Sequence, residues 1–258
     1  MFEEIKKFKD LIIHCLVIFI TTGLFFFLFG MSTVNVFGYV VYLPLPTANS
    51  FSVIFLKAMQ ADLLPADVTL VAMSPLSALN TQTSISFLAS LLVTFPYLLY
   101  KLISYISPAL YKNEKRAIMS IFLPATALFI GGCIFSYKFV IPPTFKALYA
   151  YTETTGVTSI FSMEAFVSSV VTFMMVSGIL FLLPIFMVFL SFIGVIPSSF
   201  WWKNWRYAQM GFLVFSAIIT LDGSGTSMIL LSLPLTILYV FGASTAQFLE
   251  RGKFVDKL

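Results

Sequence analysis

The sequence predicts an all-α membrane protein, a six-span transmembrane helical bundle with proline-kinked helices, a cupped shape and both termini in the cytoplasm. Three observations carry this. First, 59% of the 258 residues are hydrophobic and only 10% are charged, far below the roughly 25% of a soluble domain. Second, six segments are apolar over the roughly 20 residues that a helix needs to cross a hydrocarbon core. Third, the basic residues fall almost entirely on one side of a six-span layout, as the positive-inside rule requires of cytoplasmic loops.

The first span covers 11–30 and follows Lys6, Lys7 and Lys9. It is too long for the apolar region of a secretory signal, and no A-x-A-like cleavage site follows Gly30, so it is read as retained in the mature protein. Residues 31–83 then form an extracytoplasmic loop. Its stretch 36–56 is apolar but broken by Pro44, Pro46 and Asn49, and interfacial helices lying against the bilayer are expected there. The remaining spans are 84–107, 117–141, 165–193, 206–221 and 227–248. The third is expected to run on through Pro142 and Pro143 as an amphipathic extension ending near Tyr151. The fourth is long enough to tilt or protrude, and the fifth is short. Residues 1–258 are read as a single integral membrane domain.

Charge decides between six spans and seven. With six, Lys6, Lys7, Lys9, Lys101, Lys112, Lys115, Arg116, Lys203, Arg206, Arg251, Lys253 and Lys257 share the cytoplasmic side. Only Lys57, Lys138 and Lys146 lie opposite. After the acidic residues are counted, the cytoplasmic face nets +6 and the far face −2. A seventh span at 36–56 would put the Lys112 cluster opposite the N-terminal lysines and spoil the asymmetry.

Pro96, Pro124, Pro184 and Pro234 fall near the middle of four spans. Each removes a backbone hydrogen bond and crowds the preceding turn, so a kink is expected at each. Bent helices suit a cupped bundle better than a straight one.

Signatures of catalysis are missing. The sequence has no G-x-x-x-x-G-K-[ST] loop and no H-E-x-x-H pair, and His14 is its only histidine. His14 lies within the first span, where a structural or interfacial role is expected ahead of proton transfer. Cys15 and Cys133 sit in apolar runs and read as small buried hydrophobes. The run Asp222-Gly223-Ser224-Gly225 reads as turn chemistry between two helices. The expectation is therefore a protein without enzymatic activity, cofactor, metal or nucleic-acid partner. What remains is a set of acidic residues within the basic cytoplasmic rim. By composition alone Glu114 is a solvated counter-charge.

The run Tyr97-Leu98-Leu99-Tyr100-Lys101 through Ile106-Ser107-Pro108-Ala109-Leu110-Tyr111-Lys112-Asn113-Glu114-Lys115-Arg116 resembles a known pattern. It is similar to the aromatic second helix and "APxLYxxE(K/R)R" loop of the TatC family, the large membrane subunit of the twin-arginine protein translocase. Phe139 to Pro142 with Phe145-Lys146, Gly178 to Phe181 with Pro184, Arg206-Tyr207-Ala208 and Pro234 also match in order. The Leu43-Pro44-Leu45-Pro46 stretch looks like the family's "APLP". Phe2-Glu3-Glu4-Ile5-Lys6-Lys7 looks like its N-terminal "H-L-x-E-L-R-K-R", with Glu4 on the glutamate. Three positions depart from the pattern. Leu182 stands where the family often has an intramembrane glutamate. Ser74-Pro75-Leu76-Ser77-Ala78-Leu79 lacks an acid, and Thr220-Leu221-Asp222-Gly223 keeps the aspartate of "T-P-P-D" without its prolines.

The resemblance implies a protein that binds the twin-arginine signal peptides of folded cargo at its cytoplasmic face, in the cytoplasmic (inner) membrane. It implies assembly with single-span TatA/TatB-type subunits in the lipid bilayer, self-association within the complex, and transport driven by the proton-motive force. Glu114, Tyr105 and Glu4 would contact the signal peptide, while Pro44, Pro46, Pro108 and Asp222 would make structural or partner contacts. A carboxylate pairs a guanidinium fork bidentately but an ammonium only as a point charge, which is the chemistry needed to select paired arginines. Tyr105 reads equally as an aromatic stacking on a guanidinium and as part of the interfacial aromatic belt. The alternative class is a small-solute or ion transporter, which needs ionisable groups near the bilayer midplane; His14 and Asp222 are its candidates.

Overall fold

The computed structural model describes residues 2–36, 39–46, 50–64, 69–106, 112–154, 160–220 and 225–255. Ten α-helices and four short strands are described: α1 Phe2–Leu28, β1 Phe29–Val36, β2 Tyr39–Pro46, α2 Phe51–Leu63, β3 Thr69–Val71, α3 Ser77–Ile106, α4 Lys112–Phe135, α5 Ile141–Thr154, β4 Ile160–Ser162, α6 Met163–Leu180, α7 Leu183–Ile193, α8 Ser198–Lys203, α9 Trp205–Thr220 and α10 Thr226–Val255. Among the described residues, five helical stretches are long and apolar enough to cross a membrane: Lys9–Leu28, Ser77–Tyr105, Ile121–Ala150, Met163–Ile193 and Leu231–Glu250. The sixth apolar helix, α9, has 16 residues, and its rise of about 24 Å falls short of a full hydrocarbon core.

The prolines act in two ways. Pro96, Pro124 and Pro234 stay inside continuous helices. Pro184 instead sits at the start of α7, after a turn at Phe181 and Leu182 that divides the fourth apolar segment into α6 and α7. A proline is tolerated in a first helical turn because that N–H has no intrahelical partner. Pro142 and Pro143 show a related solution. A π-helical stretch, Ser136–Val140, widens the chain between α4 and α5, so the prolines fall in the first turn of α5 and the helical path continues.

The chain divides into two compact units. The first holds residues 1–116 and 159–172, and its frame is the pair α1 and α3. Ile12, Leu16, Ile20, Leu24 and Leu28 recur every four residues along α1 and are all exposed, an apolar stripe suited to lipid. Phe19 and Gly23 lie on another face of α1, against α3. The Phe19 and Phe87 rings meet edge to face at 4.8 Å. α2 packs on α3, with Met59 and Leu63 buried.

Residues 31–83 differ in part from the interfacial helices expected of them. α2 is one such helix, but the stretch before it is an antiparallel hairpin, β1 with β2, in which Met31 pairs with Pro44 and Phe29 with Pro46. An apolar run with two prolines at alternate positions is compatible with a hairpin whose prolines need no ladder N–H. A second, parallel pairing joins β3 to β4, Leu70 opposite Phe161. These two small sheets are the non-helical additions to an otherwise helical fold.

The second unit holds residues 117–158 and 173–258. Close approach of α4 and α6 depends on two glycines. A methyl group on Gly178 would lie 2.7 Å from Cys133 Sγ, and one on Gly132 would lie 2.8 Å from Phe181. Cys133 Sγ donates to the Met174 carbonyl at 3.3 Å. Gly242 in α10 likewise meets Pro184, a Cβ there falling 2.8 Å from the proline backbone. Small residues that let helix backbones approach are the usual device of membrane bundles. Val140, Leu231 and Leu235 form one apolar cluster, and Met187, Tyr239 and Ala243 another.

Candidate functional site

α1 and α3 are antiparallel. Phe19 meets Phe87 and Ser90, while Gly23 and Phe27 line a shared cavity with Ser86 and Thr83 further back along α3. One hydrogen bond fixes the register: Ser90 Oγ donates to the Phe19 carbonyl at 2.7 Å. Glu4 lies fifteen residues before Phe19, and Tyr105 fifteen residues after Ser90. Each is therefore about 22 Å of helical rise from that bond, in the same direction. The structure brings Glu4 and Tyr105 to one end of the pair.

Glu114 is the third residue of α4, and Ile106 ends α3. The intervening chain can span at most about 22 Å. Glu4, Tyr105 and Glu114 all belong to the first unit. Glu4, Glu114, Pro44 and Pro46 are described by backbone alone, as is Lys112, while Pro108 and Asp222 lie outside the described residues. Tyr105 is half-buried. Lys6, Lys7 and Lys9 on α1, Lys101 on α3 and Lys112, Lys115 and Arg116 on α4 belong to the same end. Lys101 Nζ stands 5.6 Å from the Tyr97 ring centroid, within cation–π range.

The far end of this unit carries a different polar contact. Asn80 Nδ2 donates to Glu164 Oε1 at 3.0 Å, linking the first turns of α3 and α6 across 84 residues. Glu164 meets the first turn of α3 and Glu114 follows its last, so the length of α3 separates the two carboxylates.

The second unit has its own basic end. Ser198 N donates to Glu250 Oε2 at 2.8 Å, so a carboxylate near the end of α10 satisfies a donor at the start of α8. Trp201 Nε1 donates to Ser191 Oγ at 2.9 Å, and Tyr239 donates its hydroxyl to the Trp201 carbonyl at 2.7 Å. Gly194, at φ 85°, ends α7 in the left-handed conformation, which glycine adopts without strain. Lys203, Arg206, Arg251 and Lys253 fall at this end. Pro197-Ser198 is a readable helix start, but nothing in the sequence marks Glu250 as its partner.

Of the two transporter candidates, His14 and Asp222, only His14 lies within the described residues. His14 Nδ1 donates to the Asp10 carbonyl one turn earlier, at 2.8 Å, as a side chain satisfied within its own helix. Leu182, where the resemblance implies an intramembrane glutamate, is buried at 7% exposure. Among the described residues no group of three His, Cys, Asp or Glu gathers to hold a metal.

Comparison with known proteins adds an independent line. A family model described as Sec-independent protein translocase protein (TatC) matches residues 3–234. The chain is 35% identical over 228 residues to the Sec-independent protein translocase protein TatC of Cenarchaeum symbiosum, covering 88% of this chain and 86% of that one. It is 29% identical over 191 residues to the protein of the same description from Koribacter versatilis, covering 74% and 69%. A crystal structure of the twin arginine translocase receptor TatC is similar with a TM-score of 0.74, at 24% identity, over 95% of this chain and 99% of that one. That likeness concerns the fold, a six-span helical bundle.

Proposed function

The chain belongs to the TatC family of Sec-independent protein translocase proteins, a multi-pass membrane subunit of the Tat translocase, and on that premise we propose that it is the receptor for twin-arginine signal peptides. The basic end of the first unit is the receiving surface, in the cytoplasm, with both termini on that side of the inner membrane. Glu114 is the principal contact, Glu4 the second carboxylate, and Tyr105 packs on the peptide or a guanidinium.

One observation carries this reading: the α1–α3 register brings Glu4 and Tyr105 to the end where the chain passes into Glu114. In a field of lysines and arginines a cationic peptide is generally repelled, so isolated carboxylates are its favoured docking points. A charge-assisted hydrogen bond contributes on the order of 1.5–3 kcal/mol net, and two carboxylates each forking an arginine favour Arg-Arg over looser basic pairs. The chain supplies recognition and assembly. TatA/TatB-type single-span subunits complete the complex, and the proton-motive force drives transport. Pro44, Pro46, Pro108 and Asp222 make structural or partner contacts.

Crosslinking of a twin-arginine signal peptide to membranes carrying Glu114→Gln and Glu114→Lys tests this. Binding weakens in the first variant and is lost in the second; unchanged capture in both would sink the assignment.

A further inference from the structure

We propose that residues 200–207, where α8 passes into α9, form a binding site for an anionic phospholipid. Arg206 and Lys203 take the phosphate, and the rings of Phe200, Trp202 and Trp205 rest against the glycerol and the upper acyl chains. The inference goes beyond the receptor reading and rests only on the membrane spans.

The segment is fixed in place by the helices around it. Glu250 of α10 accepts the Ser198 N–H, Ser191 of α7 accepts the Trp201 indole N–H, and the Trp201 carbonyl accepts the Tyr239 hydroxyl. Asn204 ties α8 to α9. Its Nδ2 donates to the Phe200 carbonyl at 3.0 Å, and its own carbonyl accepts the Ala208 N–H at 3.1 Å. Trp201 is thereby packed edge-on against Tyr239. Phe200, Trp202 and Trp205 are left 46%, 40% and 41% exposed.

Three large rings exposed within six residues need an apolar neighbour, and the chain offers one. The membrane-length stretch Met163–Ile193 ends seven residues before Phe200. Indole rings settle at the bilayer interface, where an apolar body and a polar N–H are both accommodated.

Charge selects the kind of lipid. Between Glu164 and Asp222 the sequence has no Asp or Glu, and Lys203 and Arg206 are its only Lys or Arg. Both are exposed. Glu250, the carboxylate that reaches this segment from α10, is engaged by the Ser198 N–H. A guanidinium forks a phosphate and an ammonium adds a point charge. An anionic phospholipid is the occupant that meets both halves of the surface. An acidic soluble partner would answer the cations but leave the rings in water, and a cationic signal peptide would be repelled. An aromatic belt alone accounts for the rings but gives no preference for lipid charge.

The test uses the full-length chain in phosphatidylcholine vesicles containing brominated phosphatidylglycerol or brominated phosphatidylcholine. Bromine on the acyl chains quenches tryptophan on contact, and all three tryptophans, Trp201, Trp202 and Trp205, lie in this segment. Wild-type emission is expected to be quenched at an about fivefold lower mole fraction of the anionic lipid, the factor that one basic residue near an anionic surface supplies. High salt should shrink the preference. Lys203→Gln combined with Arg206→Gln abolishes it, and Arg206→Lys keeps part. Lys146→Gln, which removes an exposed cation of α5, leaves it unchanged. The wild-type comparison stands without any variant, so a folding defect in the double change does not remove the test. Equal quenching by the two lipids would reduce the segment to an aromatic belt and overturn the proposal. So would a preference that survives the double change. Binding of soluble polyglutamate without any lipid preference would overturn it too, by marking an acidic protein partner.

Discussion

Ser90 Oγ donates to the Phe19 carbonyl at 2.7 Å, and this contact between α1 and α3 sets which residues share an end of the first unit. Beside it, a Cβ on Gly23 would sit 3.7 Å from Ser90 Cβ, ordinary van der Waals contact. Ser90→Ala removes one interhelical hydrogen bond, about 0.6 kcal/mol on the average for membrane helices. Gly23→Ala fits, but Gly23→Leu wedges α1 off α3 at a cost of about 1–3 kcal/mol. Thermal unfolding in detergent is expected to rank the variants in that order, with Gly23→Leu also lowering signal-peptide capture because Glu4 moves relative to Tyr105.

Tyr105 separates recognition from membrane anchoring. If its ring packs on the signal peptide or a guanidinium, Tyr105→Phe retains capture and Tyr105→Ala loses about tenfold, near 1.4 kcal/mol. A residue serving only the aromatic belt would leave capture unchanged in both. The measurement is signal-peptide affinity at constant protein level.

The helical part of the fold was legible because apolar length and basic asymmetry are strong, local signals. Helix occupies most of each of the six segments, although the first gives way to β1 at Phe29, a turn at Phe181 and Leu182 divides the fourth, α3 begins at Ser77, seven residues before the expected span, and α4 at Lys112, five before. Two features were hidden. The run through Pro44 and Pro46 is apolar on consecutive residues, so period-2 alternation did not show and helix was expected. Pro142 and Pro143 were read as compatible with a continuing helix, but the π-helical stretch that accommodates them has no sequence mark. The candidate site divides similarly. Glu114 emerged from motif resemblance, since a carboxylate among lysines is otherwise a counter-charge. The Ser90–Phe19 and Ser198–Glu250 bonds join residues 71 and 52 apart, and no local pattern specifies them.

Glu250 is expected to hold α8 in place. Its carboxylate accepts the Ser198 N–H at 2.8 Å, and Glu250→Ala removes a capping interaction of about 1 kcal/mol. All three tryptophans, Trp201, Trp202 and Trp205, lie in or next to α8, so intrinsic fluorescence reports on this segment alone. The variant should change the emission maximum while leaving overall helicity intact. An unaltered spectrum would show that Trp201 is held by Ser191 and Tyr239 without the carboxylate.

Close helix contact in the second unit gives a sharp contrast between two glycines, Gly178 and Gly131. Gly178→Val drives side-chain atoms into Cys133 Sγ, already 2.7 Å from a Cβ, and into Phe129. A loss of about 1–3 kcal/mol or more follows. Gly131→Ala meets nothing within 4 Å and is expected to be neutral or slightly stabilising in a helix. Because the clash is shared, Cys133→Ala should recover part of the stability lost in Gly178→Ala, a coupling that a double-mutant cycle measures directly.

Leu182 offers the most discriminating change. It is 7% exposed and lies between the two halves of a divided span, as the residue before α7. A charge at the centre of a spanning helix costs about 2.5–3.5 kcal/mol on insertion scales. At Leu182, however, a carboxylate would face the positive end of α7, which returns about 0.3–1 kcal/mol and up to about 2 in partly buried geometry. Leu182→Glu should therefore accumulate in membranes with a loss of about 1–3 kcal/mol. Met187→Glu, placed within α7 at 2% exposure, has no helix terminus to meet and should accumulate poorly or not at all. Equal losses at the two positions would show that the break before Pro184 gives no electrostatic relief. A graded difference would explain, from backbone geometry alone, how this fold could accommodate a glutamate at this position.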